Sequence, residues 1–137
     1  MTPNWGWCLK IGGVIVLVDL LSAALARGQA PDGELRIFAG TLDQLVNFAL
    51  FAYIGYRTGR ETGRVTAGAE AGVAVSLLTG VVAALYHVLY PDPADVEAMA
   101  MPVANLVIQV IAINVVQGGI TAWVASWLAS RSRTPVR

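Results

Sequence analysis

Charge is scarce in this chain: nine Lys and Arg and nine Asp and Glu make up 13% of 137 residues, about half the fraction of an ordinary soluble domain. The two signs cancel, which argues against a nucleic-acid surface. Cysteine occurs once, so no internal disulfide can form, and Cys8 reads as a small buried hydrophobe near the first helix. Histidine also occurs once. Without a second histidine, a CxxC or an HExxH, there is no basis for a metal centre. No Ser/His/Asp order marks a nucleophile, and Gly12-Gly13 and Gly118-Gly119 lack the strand and helix setting of a phosphate loop. The expectation is a protein that is not an enzyme and carries no cofactor.

What the chain has instead is apolar length. Hydrophobic residues make up 56% and the mean hydropathy is +0.63. A bilayer core of about 30 Å takes roughly 20 helical residues per crossing, so four crossings use nearly the whole chain. The predicted fold is all-α, a single transmembrane domain over 1–137: an integral membrane four-helix bundle, up-down-up-down with short loops. Its crossings are expected at 6–26, 41–57, 65–90 and 102–128, with a basic tail at 129–137.

Trp5, Trp7 and Lys10 precede the first run as interfacial anchors. A rival reading is a signal peptide with Ala24-Leu25-Ala26 as its cleavage site, against which stands Asp19 inside the apolar run. The stretch 27–40, with Pro31 and Gly33, reads as a polar loop with a short amphipathic turn near Leu35 to Phe38. Thr41 and Gln44 then fit a capping box, with Asp43 as negative charge in the first helical turn. Gly55, Gly59 and Gly63 read as a flexible connection rather than a continued helix. Pro91-Asp92-Pro93 ends the third crossing, the following ADVEAMAM suits one surface turn, and Pro102 opens the fourth at its first helical position. Trp123 and Trp127 anchor its end.

Lys10, Arg57, Arg60, Arg64, Arg131, Arg133 and Arg137 all fall on one face of this topology, and only Arg27 and Arg36 on the other. The positive-inside rule therefore places both termini in the cytoplasm, and the expected location is a bacterial inner membrane.

The most specific pattern lies in the third crossing, where Gly68, Gly72, Ser76, Gly80 and Ala84 recur at every fourth position. On a helix they form one line along which another backbone can approach closely, the packing that holds helices together in lipid. This favours an accessory or interaction subunit, with the bilayer and another membrane chain or a second copy as partners. The alternative is a small proton- or cation-coupled transporter or channel. Ionisable groups within a crossing are costly and are functional candidates by default. Helical rise of about 1.5 Å per residue puts Asp19, Asn47 and Gln109 at similar depth, about 10 Å from one surface, with Asn105 and His87 nearer that surface. Asp19, Asn47, Asn105 and Gln109 are thus a candidate polar cluster. Glu70 and Arg64 are a candidate ion pair near the opposite surface, and Asn114, Gln117 and Thr121 share a sector separate from Asn105 and Gln109. A third, weaker reading is a pigment- or haem-binding subunit with His87 as axial ligand.

Overall fold

The computed structural model describes residues 2–30, 32–92 and 102–132. Four helices make up the described fold: α1 (Trp5–Ala26), α2 (Glu34–Thr62), α3 (Val65–Leu89) and α4 (Val103–Arg131). All four are long and apolar enough to cross a membrane, and no strand occurs among the described residues. Large side chains such as Leu17, Leu45, Leu85, Ile113 and Leu128 stand on the outside, the inverse of a soluble core and the surface that lipid contact requires. The expected turn after Pro93, Pro93 itself, and Arg133 and Arg137 of the tail lie outside the described residues.

The helix bounds differ from those the sequence predicts, by one residue at the start of α1 and the end of α3, by three at the end of α4, which runs on to Arg131, and most at both ends of α2. Helix α2 begins at Glu34, so the expected amphipathic turn at Leu35 to Phe38 is its first turn, inside the helix and not in the loop. Thr41 therefore caps nothing: its hydroxyl donates to the Ile37 carbonyl within the helix (2.8 Å), and Asp43 sits more than two turns inside. At the other end α2 continues helically to Thr62. Gly63 then adopts a left-handed conformation (φ 72°) that glycine tolerates without strain, and its N–H closes the helix on the Gly59 carbonyl at 2.9 Å. Pro102 stands just before α4, at the cap, one position earlier than expected.

The glycines explain the helical continuation. Gly55 and Gly59 are buried against α4, where an added Cβ would strike the backbone of Ala122 and the Ser126 side chain. Gly68 and Gly72 of α3 press on Ser126, Ala122 and Gly118 of the same helix. Gly118 in turn has no room for a Cβ because Ser76 and Phe51 occupy the space. Three lines of small residues thus meet at the end of the bundle that carries the termini: Gly55 and Gly59, Gly68 to Ser76, and Gly118, Ala122 and Ser126. The Ser76 and Thr79 hydroxyls bond back to carbonyls of their own helix, Val73 at 3.0 Å and Ser76 at 3.2 Å, so neither is left bare in the contact. Ser126 Oγ reaches the Arg64 carbonyl at 3.4 Å and ties α4 to the start of α3.

Helix α1 packs on α2 and α3 and makes no contact with α4 among the described residues. Cys8, Ile15, Phe51, Ile54, Ala71 and Val75 fill the space between these three helices as one apolar plug. The termini end is further held by rings: Arg57 lies over Trp7 at 4.3 Å and Arg131 over Trp127 at 3.9 Å, with Trp7 edge-on to Tyr53 at 5.2 Å.

Candidate functional site

The same lines that bring the helices together become polar toward the loop end. On α2 the face Gly59, Gly55, Phe51 continues one turn on to Asn47 and another to Asp43. On α4 the face Ser126, Ala122, Gly118 continues to Asn114. On α1 the buried face Cys8, Gly12, Ile15 continues to Asp19, followed by Ser22. Where the apolar plug stops, α1 and α4 stand apart, and a cavity of about 360 Å³ opens between all four helices. Asp19, Asp43, Asn47, Asn114, Gln117 and His87 are among its lining residues.

At its inner end Asn47, only 4% exposed, donates from Nδ2 to Asp19 Oδ1 at 2.7 Å, and the same nitrogen lies 3.5 Å from Asp43 Oδ2. Asp43 is also a close neighbour of the Asp19 carboxyl, with Ser22 beside it. Two oxygens remain over: Asn47 Oδ1 and Asp43 Oδ1 are buried without a hydrogen-bond partner among the described residues. Buried acceptors are normally satisfied, so a leftover pair on adjacent turns marks a place that takes a donor from elsewhere. Asn114 fixes its own amide by donating to the Val110 carbonyl at 3.0 Å; its Cβ packs where Gly80 leaves room.

The mouth of the chamber is charged and aromatic. Arg36, in the first turn of α2, pairs with Asp92 just beyond α3 at 3.1 Å, both side chains largely covered. Arg27 lies over the Tyr90 ring at 5.7 Å, and Tyr90 stacks at a tilt on Tyr86 with centroids 5.4 Å apart. His87 lines the chamber in the last turn of α3, its ring edge-on to Tyr86 at 6.1 Å.

Of the four residues predicted to cluster, Asp19 and Asn47 meet. Asn105 and Gln109 are exposed and do not line the chamber. Asn114 and Gln117 occupy that place instead, because Asn114 stands about 140° round the helix from Gln109. Asp43 joins the site although in sequence it looks like charge at a helix start. Its spacing of four from Asn47 was the available signal. Glu70 and Arg64 approach to 3.9 Å, both more than half exposed, at the termini end and outside the chamber. Gly68, Gly72, Ser76, Gly80 and Ala84 are buried inside the chain's own bundle. No group of three His, Cys, Asp or Glu able to hold a metal occurs among the described residues. No protein-family model, curated protein or solved structure matches the chain.

Proposed function

We propose that the protein is a small proton- or cation-coupled membrane carrier, not an enzyme, whose ion site is Asp19, held by Asn47 and faced by Asp43. The observation that carries this is the Asp19–Asn47 bond of 2.7 Å at the inner end of a 360 Å³ chamber closed by the Phe51 plug. Two carboxyls near one another away from water repel when both are ionised, and a proton or a cation relieves that repulsion. The pair therefore attracts positive charge, and the chamber's arginines, Arg27 and Arg36, stand away from it at the mouth with Tyr90 and Asp92.

The reading predicts transport. Reconstituted wild-type protein should discharge an imposed pH gradient, or couple it to a cation gradient, well above empty liposomes, and Asp19→Asn should return the rate to background. Wild-type protein no faster than empty liposomes would end the carrier reading.

A second reading, an accessory subunit docked on another membrane chain, is favoured by one observation. Asn105 and Gln109 are exposed side by side on α4, where a neighbouring helix could satisfy their amides. The glycine line that first supported this reading is taken up inside the chain.

We place the chamber mouth outside a bacterial inner membrane and both termini in the cytoplasm, supported by Lys10, Arg57, Arg60, Arg64 and Arg131 at the termini end. In a Cys8→Ala background, Asp32→Cys should react with a membrane-impermeant maleimide in intact cells, and Glu61→Cys only after permeabilisation. The reverse pattern would invert the orientation.

A further inference from the structure

We infer that the chamber takes a small organic cation bearing N–H donors, a primary ammonium on a short aryl or hydrocarbon body. This rests on the carrier reading of the same site and narrows it to a ligand class. The first argument is a count of donors. Around Asp19, Asp43 and Asn47 stand four carboxyl oxygens and one amide oxygen, against the Asn47 NH₂ and the Ser22 hydroxyl; Gln117 adds one amide with a donor group and an acceptor of its own, and Asn114 spends its NH₂ on the Val110 carbonyl. Asn47 Nδ2 is spent on Asp19 and Asp43, and two buried oxygens are left without a donor. A primary ammonium brings three N–H donors and one positive charge; a trimethylammonium brings the charge and no donor. An anion would meet two carboxyls.

The second argument is size and wall chemistry. A cavity of about 360 Å³ is many times the roughly 30 Å³ share of one water and lies within the range of small-molecule sites. A desolvated metal ion would leave most of it unfilled, and no third carboxyl, histidine or cysteine stands with Asp19 and Asp43 among the described residues to complete a metal shell. Leu20, Ala83 and Val110 give the wall an apolar stretch beside the amides of Asn114 and Gln117, with Tyr86 and His87 toward the mouth. An amine with its nitrogen at the Asp pair would lay its body along this wall, and the path in passes Tyr86 and Tyr90, the latter already carrying the Arg27 guanidinium over its ring.

The test is calorimetric titration of the full chain in lipid nanodiscs at neutral pH with benzylammonium, benzyltrimethylammonium and sodium chloride. Benzylammonium should bind at least tenfold more tightly than its trimethyl analogue. Asp43→Asn, checked for unchanged helical content and elution volume, should lose at least tenfold for benzylammonium. Equal binding of the two aryl cations, binding of sodium alone, or an Asp43→Asn protein that binds as wild type would each overturn the N–H claim. So would no binding at all, the result expected if the chamber holds water alone. The comparison of two probes on the unaltered chain needs no variant to fold. Asp19-dependent discharge of a pH gradient without amine binding would sink this inference and leave the carrier reading standing; loss of both would sink both.

Discussion

Gly72→Leu is expected to abolish the native bundle, while Ala74→Leu, two residues along on an exposed face, leaves it intact. A Cβ at Gly72 would meet the Ala122 Cβ and stand 2.7 Å from the Gly118 carbonyl oxygen. Neither obstacle is the far end of a flexible side chain that can swing away, so accommodating leucine means moving α3 off α4. Overpacking of a well-packed site typically costs about 1–3 kcal/mol and more where backbone must shift. Here the same approach is repeated at Gly55, Gly59, Gly68 and Gly118, so parting the helices at one rung forfeits the others. The expected loss exceeds about 3 kcal/mol, a large part of the 5–15 kcal/mol that usually separates folded from unfolded protein. Lipid gives no compensating hydrophobic drive between the helices, because tails are as apolar as leucine. Unfolding in detergent titrations, read by tryptophan fluorescence, should show a strongly shifted midpoint or no folded baseline. A Gly72→Leu protein with the wild-type midpoint would mean that α3 and α4 are held together by something other than this contact.

The close contact also bears on what the sequence could reveal. Four crossings follow from apolar length alone, because every backbone group inside a bilayer must be bonded within a helix. The ends of α2 do not follow from it. Glu34, Arg36, Thr41 and Asp43 dilute the apolar signal of a helix whose early turns carry the chamber mouth, and Arg57, Arg60 and Glu61 dilute it at the other end. Reading apolar content alone therefore trims α2 at both ends and turns Asp43 into a charge in the first helical turn. The composition of the polar cluster was nearly legible. Asn114, Gly118, Ala122 and Ser126 repeat at four on α4 just as Gly68, Gly72, Ser76 and Gly80 do on α3, and Asn47, Phe51, Gly55 and Gly59 do on α2. Aligning the three lines turns Asn47 and Asn114 inward and Asn105 and Gln109 outward. Depth was the weaker guide: residues at one level share a site only if their helices are rotated toward each other, and the small residues set that rotation.

Asn47→Leu is expected to separate stability from transport, costing about 2 kcal/mol or less in unfolding free energy while bringing flux to the level of empty liposomes. Its amide bonds Asp19 across the α1–α2 contact at 2.7 Å. Side-chain hydrogen bonds between membrane helices average about 0.6 kcal/mol and reach about 1.7, because the separated helices also find partners. Breaking a buried ion pair by removing one member costs about 3–5 kcal/mol, since an uncompensated charge stays behind. Which magnitude applies depends on what Asp19 meets once the amide has gone. A chamber of about 360 Å³ beside it has room for several waters, and a proton can be shared with the neighbouring Asp43 carboxyl, so the group is not stranded in hydrocarbon. The hydrogen-bond figure should therefore hold. Transport is different, because a leucine there removes both the donor that positions Asp19 and the oxygen left for a ligand. The double variant Asp19→Leu/Asn47→Leu should regain most of the lost stability, as replacing both partners of a buried polar pair by apolar groups is often near neutral. It should regain no flux. A single-variant cost above about 3 kcal/mol would show that Asn47 compensates a bare charge, and wild-type flux in either variant would remove Asp19 and Asn47 from the transport path.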